Sequence, residues 1–438
     1  MKQIFIYNSI MNKLAILIVI ILSTWGCQSK YPGVPATYNS LLETAFTNAG
    51  KNATELQKAL SESPKEQREG MAFIISHMPQ RDLSTIKADF LLENAEYAYK
   101  ARKKYTWCAT LPDSVFFNEV LPYANISEER DPWRKEFYSR FAKYVEGKDD
   151  LVAAVMSIAK NIKDEVNVKY NTKRSRVDIS PFQAMKENMA TCTGLSILLT
   201  DALRSVGIPS RLAGTAMWTN YKGNHTWCEV LIEDEWKFIE YYPEALNKSW
   251  FLADAGKSDP NNMLHWIYAA SYKPTDMPYY AAPDGRIIEV VDLNKLPNKV
   301  RPQFEEMKAS MANSDKKETL AWGVNVTQRY IDLYHESIKN SPLQDDELMA
   351  NVVVFDNDNT SKSDSRTSCR VDVQLSEKNI NFGYSPRKTD DMNQFLQFKL
   401  KKETKYKFVV SHPESKINKE FTITTGNNTT QDIQLILK

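Results

Sequence analysis

A cysteine side chain attacks carbon only as its thiolate, so thiol catalysis needs a lowered thiol pKa, a base within reach and a group that orients the base. Cys192, His225 and Glu240 are the residues whose types and spacing meet that demand. Cys192 opens a stretch in which Leu195, Leu198, Leu199, Ala202 and Val206 recur at helical spacing, ended by Gly207 and Pro209. A helix N-terminus stabilises a thiolate, and its first N–H groups can hold a developing oxyanion. His225 begins a strand-like run to Ile232, and a second run starts at Trp236. A two-residue turn at Glu233-Asp234 pairs residue 232 with 235 and residue 227 with 240. His225, Trp227 and Glu240 then share a face, with Glu240 diagonal to His225 at roughly 7–8 Å along the backbone. Glu244 has the same parity but follows Pro243, so Glu240 is the preferred acid. Asn188, Trp218 and Trp107 are candidates for a second oxyanion donor, with Trp227 as a further substrate-side candidate.

Other reactive residue types read as structural. Cys228 alternates with Trp227 and so points to the opposite, core-facing side; Cys108 and Cys369 read as packing thiols. Arg211 reads as one end of an ion pair, and His265 as a remote second base candidate. Asp356 to Thr360 places acids at calcium-loop spacing, but the required glycine and glutamate are missing, so a polar turn is expected. No C-x-x-C pair, no H-E-x-x-H and no phosphate-cradling glycine loop occurs, so no metal and no cofactor are expected.

The elements that must position these residues follow from hydrophobic periodicity. Residues from about 38 to 170 are helical in pattern, interrupted by a loop-rich stretch from Thr110 to Ser127; Asp131-Pro132-Trp133 reads as a helix start. A mixed segment of helix and short strands follows to about residue 300, then helical spacing to about 345. From 346 onward, short β-type runs alternate with Asn, Asp, Ser and Pro clusters, which predicts a β-sandwich. The fold class is therefore α+β. The boundaries drawn are 28–165 for a helical N-terminal region, 166–300 for the mixed core, 301–345 for a helical connector and 346–438 for the sandwich. The 438 residues are 42% hydrophobic and 25% charged with a net charge of +1, so nothing points to a nucleic-acid partner and none is expected.

Four blocks in order, Thr191-Cys192-Thr193-Gly194, Arg204 to Arg211, His225-Thr226-Trp227-Cys228-Glu229-Val230 and Trp236 to Glu240, resemble the transglutaminase-like superfamily. The resemblance is specific over about 190–255. It implies a papain-like core within 166–300, in which a helix bearing the cysteine packs on an antiparallel sheet bearing the histidine and acid. It also implies thiolate attack on an amide carbonyl through a thioester. Two departures from the family pattern stand out: Glu240 replaces the usual aspartate, and no glycine precedes Cys192.

Residues 1–27 read as an export signal rather than fold. Lys2 and Lys13 precede an apolar run from Leu14 to Leu22, and Gly26-Cys27 resembles the lipidation site of a bacterial lipoprotein. The expectation is a lipid-anchored protein of the bacterial cell envelope, periplasmic or surface-exposed, acting on peptide, protein or glycopeptide amides as hydrolase or acyl transferase. The alternative is a catalytically inactive lipoprotein whose transglutaminase-like domain binds a protein or glycan.

Overall fold

The computed structural model describes residues 29–279, 291–312, 319–338, 343–412 and 417–438. Residues 1–27, including Cys27, on which the export-signal expectation rests, lie outside the described residues. Among the described residues no helix is long and apolar enough to cross a membrane. The chain divides into two compact units, Met1–Tyr99 and Lys100–Lys438. The division falls within the range drawn from sequence as one helical region, because helices beyond residue 100 bury their apolar faces in the second unit.

The first unit is helical. Helices Asn39–Ala49, Ala53–Glu62, Arg68–His77 and Gln80–Thr85 enclose Leu42, Phe46, Leu56, Leu60, Ile74 and Ile75. Its chain reversals are tied by side chains that satisfy loose backbone groups. Buried Asn52 donates to the carbonyls of Leu83 (2.9 Å) and Ile86 (2.8 Å). Glu55 accepts the N–H of Ala88 at 3.0 Å, where the helix Ala88–Lys104 begins.

The second unit is built around the helix Cys192–Ser205, in which every residue from Thr193 to Ser205 is buried. Such a helix must be covered on all sides. Helices Trp133–Val145 and Leu151–Val166 cover one side and the strand His225–Ile232 another. The Leu151–Val166 helix buries Ala154, Val155, Ile158, Ala159, Ile162 and Val166 at three- and four-residue steps. Asp150 caps it by accepting the N–H groups of Val152 and Ala153, each at 3.1 Å. Trp133 starts its helix as expected, but Asp131 instead accepts the N–H of Phe182 at 2.7 Å and so caps the helix Pro181–Glu187. The stretch 110–127 contains a short helix, Asp113–Glu119, not anticipated from its composition.

The sheet beneath the cysteine helix has six strands in the order Glu235–Ile239, His225–Ile232, Ser210–Thr215, Ile267–Ser271, Trp322–Asn325 and Met277–Pro278. All neighbours are antiparallel. The segment drawn from sequence as a helical connector at 301–345 also contributes the strand Trp322–Asn325, between helices Arg301–Ala312 and Thr327–Ile338. The second of these helices sends Tyr330 into the core beside Trp227, so the segment packs as part of the same body as the six-stranded sheet.

The C-terminal part is a sandwich of a four-stranded and a three-stranded sheet. Leu348, Val352, Val354, Val371, Val373, Phe398, Phe408, Val410, Ile433 and Leu435 fill the space between them. Strand Lys378–Tyr384 was not legible as a strand. It lies at the edge, paired on one side to Arg370–Leu375, and points Ile380, Phe382 and Tyr384 outward.

Candidate active site

The start of the cysteine helix is set by close packing. Asn188 ends the helix Pro181–Glu187 in the left-handed conformation (φ 55°), and Met189–Ala190 pairs in parallel with Lys169–Tyr170. Gly194 then lets the first turn press onto the chain beneath: a Cβ there would sit 2.5 Å from Ile179 Cγ2 and 2.9 Å from Ala190 Cβ. Thr191 makes no side-chain cap, so the first N–H groups of the helix are not consumed by it. Cys192 is partly exposed at this terminus and lines a cavity of about 150 Å³.

Two hydrogen bonds lock the histidine strand to that helix turn. Thr193 and Thr226 share a hydroxyl hydrogen bond of 3.1 Å, and Ser196 donates to the Thr226 carbonyl at 3.0 Å. Because Thr226 follows His225, these bonds set the height of the imidazole relative to Cys192. The ring is 2% exposed and wedged among Trp250, Phe251 and Trp227, with centroids 4.8, 5.1 and 5.6 Å away.

The hairpin register brings the acid to the ring. Ile232 pairs with Glu235 and Cys228 with Ile239, as a two-residue turn requires. Glu233 (φ 53°) and Asp234 (φ 62°) both adopt the left-handed conformation of a type I′ turn without any glycine. His225 Nε2 lies 2.7 Å from Glu240 Oε1. An ionised carboxylate only accepts, so this contact places a proton on Nε2 and turns Nδ1 toward the thiol side. Ser249 donates to the other oxygen of Glu240 and holds it in plane.

A further carboxylate enters from the sandwich. Asp391 Oδ2 lies 3.5 Å from His225 Nδ1, and Cys192, His225 and Asp391 offer reactive atoms that all lie within 4.8 Å of one another. Burial disfavours an imidazolium at this position, but Asp391, Cys192 and Glu240 together outweigh it and raise the His225 pKa well above the ordinary value. Asp391 itself is raised, by burial above all, with His225 pulling the other way. Burial pushes the other thiols far up, Cys108 and Cys228 to about 12 and Cys369 to about 11, so they stay protonated and inert.

The oxyanion candidates do not gather at the cavity. Asn188 Nδ2 donates to the Asn167 carbonyl (3.1 Å). Trp218 and Trp227 stack in the core with centroids 6.2 Å apart, and Trp227 Nε1 donates to Tyr330 Oη at 2.6 Å. Trp107 donates to the Val206 carbonyl at 3.1 Å. Large indoles are drawn into apolar packing: the N–H groups of Trp227 and Trp107 find partners there, while buried Trp218 Nε1 has no hydrogen-bond partner among the described residues. Arg211 pairs with Glu229 at 2.9 Å, Cys228 is fully buried, and His265 Nδ1 is held by the Met217 carbonyl at 2.9 Å. Asp391 was missed, since nothing local distinguishes an aspartate in a sandwich loop.

Residues 139–254 match the family model of the transglutaminase-like superfamily core. No curated protein matches the chain. Among solved structures, a proposed cysteine protease from Cytophaga hutchinsonii aligns at 20% identity over 33% of this chain and 47% of that one, with a TM-score of 0.25. The match thus spans about half the length of that protein, and at this TM-score the family model and the site geometry, not the alignment, carry the assignment. Residues 139–254, with Cys192 at a helix start and His225 and Glu240 on one hairpin, are a core of the transglutaminase-like superfamily.

Proposed function

We propose that this protein is an exported, thiol-dependent amide-bond enzyme, a peptidase or amidase in the first instance and an acyl transferase where an amine replaces water. The observation that carries the reading is His225 held at Nε2 by Glu240, with its other nitrogen on the side of a partly exposed Cys192. In this mechanism the Cys192 thiolate attacks the amide carbonyl carbon. The carbonyl electrons move to oxygen, where the first N–H groups of the cysteine helix receive the charge. Collapse breaks the C–N bond as His225 Nδ1–H delivers its proton to the departing amine, leaving a thioester. Water then gives its proton to Nδ1 as it attacks, and the acid leaves with the thiolate restored. Glu240 keeps the ring in one tautomer and stabilises the imidazolium between these steps. Substrates of this class are peptides, proteins or glycopeptides, met at the bacterial cell envelope where lipidated Cys27 holds the chain.

The test is the pH dependence of iodoacetamide alkylation at each cysteine, followed by peptide mass mapping. Cys192 is expected to react well below pH 7 and to lose that reactivity in His225→Ala, while Cys108, Cys228 and Cys369 stay silent. Alkylation of Cys192 only above pH 8 would remove the thiolate–imidazolium pair and leave partner or glycan binding as the better reading. Amide hydrolysis that survives Cys192→Ala would exclude this residue as the nucleophile.

A further inference from the structure

The loop that carries Asp391 is built into the cleft rather than resting against it. Arg366 donates to the carbonyls of both Asp391 and Gln394, and Asn393 Nδ2 donates to the Asn224 carbonyl (2.8 Å), immediately before His225. Asp391 is 7% exposed and lines the cavity that holds Cys192. Its Oδ1 accepts the Asn393 N–H at 2.8 Å; Oδ2 faces His225 Nδ1 at 3.5 Å, and among the described residues no donor hydrogen-bonds to it. A buried carboxylate oxygen without a donor is costly unless a ligand supplies one.

The charge balance around that oxygen is one-sided. The His225 imidazolium faces three acidic groups, Cys192, Glu240 and Asp391, and Arg366 behind the loop also acts on Asp391. Asp390 adds a fourth acidic group to the wall, and no Lys or Arg is among the residues lining the cavity. Glu244 at the rim is matched by Lys248 at 3.3 Å. Arg366 lies behind the loop with two of its nitrogens on carbonyls, and Arg174 turns to the Thr191 hydroxyl at 3.3 Å. Tyr170 and Trp250 form aromatic walls of the same cavity, surfaces that favour a cation over an anion.

We infer that the cleft takes amide substrates carrying a primary ammonium group beside the reacting carbonyl, and that Asp391 Oδ2 receives that charge. The choice of ammonium over guanidinium follows from the geometry. A guanidinium is best bound by two carboxylate oxygens at once, and Asp391 can offer only Oδ2, which faces His225 Nδ1 at 3.5 Å, because Oδ1 is held by the Asn393 N–H. The cavity of about 150 Å³ also suits a compact ammonium head. The inference deepens the proposed function and rests on Cys192 being the nucleophile.

The experiment measures modification of Cys192 in the full-length protein by three methanethiosulfonates that differ only in charge: methyl (neutral), aminoethyl (cationic) and sulfonatoethyl (anionic). The thiolate attacks the sulfenyl sulfur, a disulfide forms and methanesulfinate departs with the electron pair. The cationic-to-anionic rate ratio is read within each variant, so changes in intrinsic reactivity cancel, and is divided by the ratio for a small free thiol. The wild type is expected to give a normalised ratio of about tenfold or more at low salt. Asp391→Asn is expected to reduce it to about twofold, while Asp391→Glu restores it. A normalised ratio near one in the wild type, or one that Asp391→Asn leaves intact in a protein with unchanged circular dichroism, overturns the inference. The neutral reagent reports separately on the nucleophile: its slow reaction at pH 6 counts against the proposed function, and the charge ratio is still read.

Discussion

His225 Nε2 and Glu240 Oε1 meet at 2.7 Å across a hairpin whose two-residue turn contains no glycine. The contact is the product of register: the turn at Glu233-Asp234 sets which residue of the second strand lies on the face of His225. Replacing the acid by Glu240→Gln keeps a hydrogen-bond acceptor but removes the charge. The expected result is a fall of about tenfold in Cys192 alkylation at pH 6. For any amide substrate found, kcat/KM should fall about 100-fold or more, or about 2.7 kcal/mol of transition-state stabilisation. Glu240→Asp, one methylene shorter, is expected to retain more of both.

The turn itself is a place where the fold can be improved. Left-handed backbone costs a residue with a Cβ about 1 kcal/mol or more. Glu233→Asn with Asp234→Gly is expected to preserve the register and raise stability by about 1 kcal/mol, read as a Tm increase of a few degrees by calorimetry. A fall in Tm would mean that the side chains of Glu233 and Asp234 hold the turn.

Gly194 is expected to tolerate no side chain. In Gly194→Ala the new methyl would lie 2.5 Å from Ile179 Cγ2, which forces the first turn of the cysteine helix to shift. The expected cost is about 1–3 kcal/mol in urea denaturation, with loss of selective Cys192 alkylation because the thiol moves with the turn. Ile179→Ala in the same chain should recover part of both.

Arg211 tests the difference between positioning a fold and performing chemistry. It pairs with fully buried Glu229 at 2.9 Å and stacks 3.7 Å from the Trp236 ring centroid, while Tyr330 donates to Glu229 at 2.6 Å. Arg211→Ala leaves that carboxylate with Arg329 as its remaining charge partner and is expected to destabilise by about 1.5–3 kcal/mol. The measurement is chemical denaturation; unchanged stability together with lost reactivity would mean that Arg211 acts on the substrate instead.

The raised pKa of His225 makes stability pH-dependent. Between the unfolded imidazole value of about 6.5 and the higher folded value, the native state holds a proton that the unfolded chain lacks. Stability from this group is therefore fully present below about pH 6.5 and is lost as pH rises through the folded value. Unfolding free energy measured from pH 6 to 9 in Cys192→Ala, where no thiol gives up a proton in exchange, should fall more steeply than in Cys192→Ala with His225→Gln, by up to about 1.4 kcal/mol per pH unit over that window.

Cys192 at a helix start, and His225, Trp227 and Glu240 on one hairpin, were decided by sequence alone, because helix periodicity, strand parity and a two-residue turn act within a few residues of one another. The six sandwich runs read from residue 346 onward followed from the same local alternation. Tertiary structure decided what no period encodes. Trp227 is committed to Tyr330 from a helix far along the chain, which takes its N–H out of reach of the cleft. Trp322–Asn325 joins the six-stranded sheet because the strand Ile267–Ser271 offers it an edge, and Lys378–Tyr384 becomes a strand by pairing despite its exposed face. Asp391 reaches His225 only because Arg366 and Asn393 fasten a sandwich loop against the histidine strand. Such contacts depend on how separately formed layers pack, and the free energy that selects them comes from burial across the interface rather than from any local pattern.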